Sequence, residues 1–195
     1  MGSFNFSIQD SLTVGVTNPT YTDEEIEQCA QENEIDAETA REWLDEQDFD
    51  IIAEQKKEAD NFAYKLNKWL DRVLDLSFEN TTDSLYRAVV EIGYYNGFQV
   101  YLEDMDGDHG EHLLDSLEEW DNLPMERDQA EKLIEKVYST AQFILIDYAK
   151  NAGLGITAGG WAGGSAQYHK ITEVWEAYKQ GADAELLAQW EQINK

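Results

Sequence analysis

The stretch from Glu126 to Ala152 constrains this chain most. Leu133, Ile134, Val137, Tyr138, Ala141, Ile144, Leu145, Tyr148 and Ala149 recur at three- and four-residue spacing. That spacing puts them on one face of a helix. Gly153 follows at once, and glycine is the usual residue at the left-handed position that ends a helix. An apolar stripe of about 25 Å needs other elements to cover it, because an isolated helix is marginal in water.

The remaining sequence supplies those elements. Residues 4–16 read as a hairpin. Phe4, Phe6 and Ile8 alternate with polar residues, as do Leu12, Val14 and Val16, with Gln9-Asp10-Ser11 as the turn. Thr22-Asp23-Glu24-Glu25 has the capping-box pattern, which predicts a helix over 23–33. Asp36 caps a second over 37–47, with Ala40, Trp43 and Leu44 on one face. A third is predicted from near Asp48 to Asp75 through Phe62, Leu66, Trp69, Leu70, Val73 and Leu74. Its early part has few apolar positions and reads as a bridge between two bodies. Residues 85–92 and 98–103 are rich in strand formers around Asn96-Gly97, which favours a hairpin over a single helix. A short helix is expected over 111–120. A glycine-dense hairpin is expected from 154–157 and 167–171. Two terminal helices follow, broken at Gly181, the second capped by Asp183. The fold class is α+β: mostly helical, with N-terminal helices, a long central helix and small antiparallel hairpins packed on it. The division expected is an acidic hairpin and helical module over 1–60 and an α+β main domain over 61–195.

Two resemblances accompany this layout. The helices of residues 23–53 resemble the three-helix arrangement of ubiquitin-associated-type modules. The loop those modules carry is replaced here by Asn33-Glu34-Ile35-Asp36, so ubiquitin binding is not carried over. Over residues 85–170 the order hairpin, long helix, glycine-rich hairpin resembles small acidic accessory proteins of phages and mobile elements. The string Gly93-Tyr94-Tyr95-Asn96-Gly97-Phe98-Gln99 is similar to strings in those proteins. The resemblance implies an accessory role and no known catalytic residues.

Composition enters through charge. The 195 residues carry 41 Asp+Glu against 14 Lys+Arg, a formal net charge of −27. Residues 21–60 hold 16 acids and three basic residues, net −13; residues 103–131 hold 12 acids and Arg127, net −11. Residues 61–102 between them are near balance. Direct binding to nucleic acid or anionic lipid needs Lys/Arg to neutralise phosphate, so neither is expected. The apolar fraction of 42% and six Trp exceed what a disordered acidic tail carries. Met1 to Thr20 has no basic segment followed by an apolar one, so a soluble, cytoplasmic protein is expected.

No reaction chemistry stands out. Asp104, Asp106 and Asp108 sit at the first, third and fifth positions of a calcium-loop pattern. Its sixth and twelfth positions are His109 and Asp115 rather than Gly and Glu. His109 and His112 lack further zinc ligands nearby in sequence. Gly153-Leu154-Gly155-Ile156-Thr157-Ala158 matches a dinucleotide fingerprint but follows a helix instead of opening one. Cys29 lies among acids, which disfavour a thiolate, and at helical spacing from Ile26. No catalytic residue, cofactor or metal is expected, and the chain is not read as an enzyme.

Clustered acid fits recognition of a basic groove, with carboxylates standing in for phosphates. The pairs Glu38–Glu42, Glu42–Glu46 and Glu46–Asp50 repel if helical, a cost that invites a use. The expected function is that of an acidic accessory protein. It occupies the basic channel of a nucleic-acid-binding host defence enzyme as a DNA mimic. The partner surface is assigned to Asp23, Glu24, Glu25, Glu27, Glu34, Asp36, Glu38, Glu42, Asp45, Glu46, Asp104, Asp106, Asp108 and Trp161. Trp161 is read either as an exposed anchor at a loop tip or as a ring folded back on the core. The alternative function is a non-enzymatic protein-binding adaptor whose acidity confers only solubility.

Overall fold

The structure is a computed structural model that describes residues 10–16, 21–78, 85–92, 97–108, 110–119, 121–160, 167–169 and 171–193. Along the chain these form β1 (Asp10–Val16), α1 (Asp23–Asn33), α2 (Ala37–Phe78), β2 (Tyr86–Ile92) and β3 (Phe98–Asp104). Then come α3 (Glu111–Glu119), α4 (Arg127–Ala152), β4 (Gly155–Gly160), β5 (Gln167–His169), α5 (Ile171–Gly181) and α6 (Ala184–Ile193). The fold is α+β and mostly helical, as its patterns predict.

Both expected hairpins form, β2 with β3 and β4 with β5. β1 joins them. It lies between β3 and β4, antiparallel to both, so the five strands make one sheet in the order β2-β3-β1-β4-β5. The turn expected at residues 9–11 is corrected: Asp10 and Ser11 already belong to β1 and pair with Gly160 and Gly159. The first arm of that expected hairpin, residues 4–8, lies outside the described residues. Ile171, expected in a strand, opens α5.

One sheet face carries the core. Tyr86 and Ala88 of β2 and Phe98 and Val100 of β3 are buried, and they meet Leu66, Trp69 and Leu70 of α2 and Val137, Tyr138 and Ala141 of α4 in a single apolar cluster. Phe62 of α2 stacks on Tyr148 of α4, ring centroids 4.0 Å apart. Tyr86 packs on Tyr138 at 4.8 Å. α4 ends on Gly153 at φ 71, the left-handed conformation that glycine adopts without strain. In the middle of α4, Thr140 Oγ1 accepts the Asp183 N–H at 2.9 Å and fixes the start of α6 on α4.

The N-terminal helices differ from expectation. The two helices predicted over 37–47 and 48–75 are one helix of 42 residues, about 63 Å long. Residues 37–78 contain neither Gly nor Pro, so nothing stops the helix, and Asp48 remains inside it. The three-helix resemblance over 23–53 fails for the same reason. α1 rests on the first turns of α2 through a small separate core of Ile26, Cys29, Ala30 and Ala40, flanked by Tyr21, Ile35 and Leu44. Trp43, read on one face with Ala40 and Leu44, is 42% exposed, because α1 covers a neighbouring strip of the helix. The main core resumes at Ile52. The charge-based boundary at residue 60 thus falls inside α2, and β1, placed with the N-terminal module by its sequence position, sits at the centre of the main sheet.

Candidate functional site

α1 and the first half of α2 form an acidic arm that extends from the body. Its start is built by capping. Thr22 Oγ1 accepts the Glu25 N–H at 3.3 Å, and the Glu25 carboxylate accepts the Thr22 N–H at 2.8 Å. Asp36 Oδ1 accepts the Thr39 N–H at 2.9 Å. These bonds from Thr22 and Thr39 hold the Glu25 and Asp36 carboxyls below the usual carboxylate range. Two assigned partner-binding acids therefore have local structural work. Glu34 is a third such case: it takes φ 55 as the cap that ends α1.

Along α2 the acids form a regular series. Glu38, Glu42, Glu46, Asp50, Glu54 and Glu58 stand four residues apart, and all six are exposed. Each step rises about 6 Å and turns about 40°, so the series climbs about 30 Å while winding roughly 200° around the helix. Its last member reaches the body: Tyr148, pushed up to about 12 mainly by burial, also feels the charges of Glu58 and Asp60. Sequence reading assigned Glu38, Glu42 and Glu46 but not Asp50, Glu54 and Glu58, because it broke the helix between them. The signal was the unbroken four-residue spacing.

Between α1 and α2 opens a cleft of about 620 Å³ lined by Asp23, Glu27, Glu38, Glu42 and Asp45, with Ile26 and Ala37 as its apolar members. Arg41 also lines it and lies 3.9 Å from Asp23. Glu24 and Glu46 are exposed on the arm outside this lining.

The second acidic stretch is organised differently. Asp104 Oδ1 accepts the N–H groups of Asp106 and Gly107 at 3.1 and 3.2 Å. Asp106 Oδ2 caps α3 by accepting the Leu113 N–H at 3.1 Å. Asp108 meets His112 at 2.8 Å. Arg127, at the start of α4, bridges Asp115 at 2.6 Å, Glu118 at 2.8 Å and Glu131 at 3.0 Å. Much of this charge is thus spent on holding the loop and α3 in place.

The two acidic regions do not merge. Gly110, beside the 104–108 turn, packs against Ile134 near the start of α4, whereas α2 meets Tyr148, near the end of α4, at Phe62. Trp161 lies outside the described residues.

Among the described residues no group of three His, Cys, Asp or Glu side chains is arranged to hold a metal. Cys29 is buried in the small core. Gly153 and Gly155 connect the end of α4 to the start of β4, the opposite context to a dinucleotide turn. No helix among the described residues is long and apolar enough to cross a membrane. Compared with known proteins, the chain matches no family model, no curated protein and no solved structure.

Proposed function

We propose that this chain is a non-enzymatic acidic accessory protein. Its helical arm occupies the basic nucleic-acid channel of a partner, a host defence enzyme, in the manner of a DNA mimic. The observation that carries the reading is the six-carboxylate row on an uninterrupted α2. Five successive like-charge pairs at four-residue spacing cost about 0.2–0.5 kcal/mol each. That total is a sizeable part of a typical stability of about 5–15 kcal/mol. A use for the row in recognition accounts for that cost.

The magnitudes favour the arm over the second acidic region. One strand of duplex presents a phosphate every ~3.4 Å of axis, so roughly nine over the length of this row. α2 offers six in a series that winds around it, and Asp23, Glu27 and Asp45 share a cleft with its first two members, Glu38 and Glu42. Because a helix holds them, little conformational entropy is lost on docking. The loop at 104–108 and the Arg127 cluster already satisfy most of their carboxylates within the chain.

The test is competition. The full chain captures a basic nucleic-acid-binding enzyme at low ionic strength, duplex DNA displaces it, and ~0.5 M NaCl, which shortens the screening length well below 10 Å, releases it. A variant with Glu38, Glu42, Glu46, Asp50, Glu54 and Glu58 all changed to Gln or Asn keeps its helix and loses capture. Capture that ignores both salt and DNA, or that survives this neutralisation, rules the mimic out.

A further inference from the structure

Besides the winding series of acids, α2 carries a straight stripe. Thr39, Trp43, Glu46, Asp50 and Glu54 follow one another at steps of three or four residues. Lys57, Asn61, Tyr64, Lys68 and Arg72 continue at the same steps. At about 100° per residue they all stay within about 40° of one line, over a length of about 50 Å. Every one of them is exposed, and the core-forming Leu66, Leu70 and Val73 lie on the other side of the helix. The stripe is divided by charge. Its first half holds three carboxylates and no base; its second half holds Lys57, Lys68 and Arg72 and no acid. Each half also has one large aromatic side chain in water, Trp43 at 42% and Tyr64 at 61% exposure. The Lys68 Nζ lies 4.8 Å from the centre of the Tyr64 ring, which keeps that ammonium on the stripe.

From this division we infer that α2 pairs with α2 of a second copy of this chain, antiparallel and face to face along the stripe. A two-fold axis beside Gln55 and Lys56 sets Glu54 opposite Lys57, twice by symmetry. It also sets Asp50 opposite Asn61, Glu46 opposite Tyr64, Trp43 opposite Lys68 and Thr39 opposite Arg72. Every pair is centred there to within one residue, so facing side chains share a height to within ~1.5 Å. A contact between identical surfaces requires this self-complementarity. The facing groups are an acid and a base, a carboxylate and an amide or hydroxyl, and an ammonium and an indole face. Charge also selects the sense. A parallel pair would set Glu46, Asp50 and Glu54 against their own copies, and like charges facing each other repel. The antiparallel sense sends the two acidic α1 helices about 45 Å apart, several times the ~8 Å screening length at physiological salt. The inference goes beyond the mimic reading and needs no partner other than the chain itself.

The stripe offers fewer residues a side than the roughly 20–30 of a standard stable interface, so the pair is weak and its formation depends on concentration. Sedimentation velocity of the full chain, from ~5 to ~500 µM at ~0.1 M NaCl, reads it as a passage from monomer to dimer. Glu54→Lys creates two Lys–Lys contacts at the axis, and Lys57→Glu creates two Glu–Glu contacts. Each weakens self-association about tenfold. Glu54→Lys lowers the net negative charge, so its weaker dimer cannot come from overall repulsion. Mixed in equal amounts, the two variants regain both opposite-charge contacts and form a heterodimer with the affinity of the parent. Trp43→Ser weakens the dimer as well. All three positions are exposed, so circular dichroism and melting temperature stay those of the parent monomer. A chain that remains monomeric at ~500 µM overturns the inference. So does self-association that ignores both charge reversals, and so does a loss in both variants that mixing does not restore.

Discussion

Asn67 of α2 and Ala88 of β2 make a two-point contact. The side-chain amide Oδ1 accepts the Ala88 N–H at 2.6 Å, and Nδ2 donates to the Ala88 carbonyl at 3.0 Å. β2 is an outer strand of the sheet. At this position the amide of a helix side chain does what a neighbouring strand would do, and it fixes α2 against the sheet edge.

Replacing that amide should expose the cost of a bare edge. Asn67→Leu leaves both backbone groups of Ala88 without a partner in a part-buried setting. The expected loss is about 1–3 kcal/mol, read as a shift of the urea midpoint at unchanged slope. A loss near zero would mean that water replaces the amide without penalty.

Gly110 and Gly107 separate two effects of glycine. Both have positive φ, 84° and 81°, a region that costs an ordinary L residue about 1–2 kcal/mol. A Cβ at Gly107 meets open space; at Gly110 it falls 2.9 Å from Ile134 Cδ1 and 3.3 Å from Leu85 Cδ2. Gly107→Ala should cost only the backbone term. Gly110→Ala should cost that and a packing term of about 1–3 kcal/mol. Equal losses in denaturant unfolding would contradict the contact.

Arg127 is the clamp between α3 and α4. Its hydrogen bonds to Glu118, Asp115 and Glu131 hold the guanidinium in its charged form. Arg127→Ala leaves three carboxylates close together with no counter-charge. The melting temperature should fall, and added NaCl should narrow the gap to the parent, because salt screens the repulsion that the variant unmasks. A gap that does not respond to salt would point to lost packing instead.

Asp183 gives a pH-dependent term of known sign. The Leu186 N–H, with help from Lys136 and the Glu185 N–H, holds its carboxyl below the usual range. A pKa lowered in the folded state contributes stability that is complete above the unfolded value, about 3.9. That contribution is lost as pH falls through the lower folded value. Asp183→Ala should cost about 1 kcal/mol at neutral pH through the lost cap. The difference from the parent should shrink as pH drops below about 4. Melting curves of both proteins from pH 7 to pH 3 check this.

Local signals were legible wherever a short stretch decides its own conformation. Thr22 and Glu25 announced α1, the stripe from Leu133 to Ala149 announced α4, and Gly153 closed it. Strand-forming residues around Asn96-Gly97 announced β2 and β3. Reading failed where the outcome depends on partners far along the chain. β1 pairs with residues about 85 and 145 positions away, and no local pattern names a strand's neighbours. Asp48 resembled a cap, but a cap marks a helix start only where the preceding helix stops, and nothing between Ala37 and Phe78 stops it.

Charge shows the same division. The sequence by itself determined that the chain is strongly acidic, that its acids gather in 21–60 and 103–131, and which residues can form helices around them. The caps at Glu25 and Asp36 were legible locally; only the tertiary structure decided what the other carboxylates do. Glu25, Asp36, Asp104 and Asp106 are drawn into caps and turns, and Asp115, Glu118 and Glu131 close on Arg127. Glu38 to Glu58 stay exposed at regular four-residue steps because one helix runs unbroken beneath them. The physical reason is reach. A carboxylate's sign is a property of its residue, whereas its alignment with others, and its access to a partner, depend on a backbone that dozens of residues hold straight.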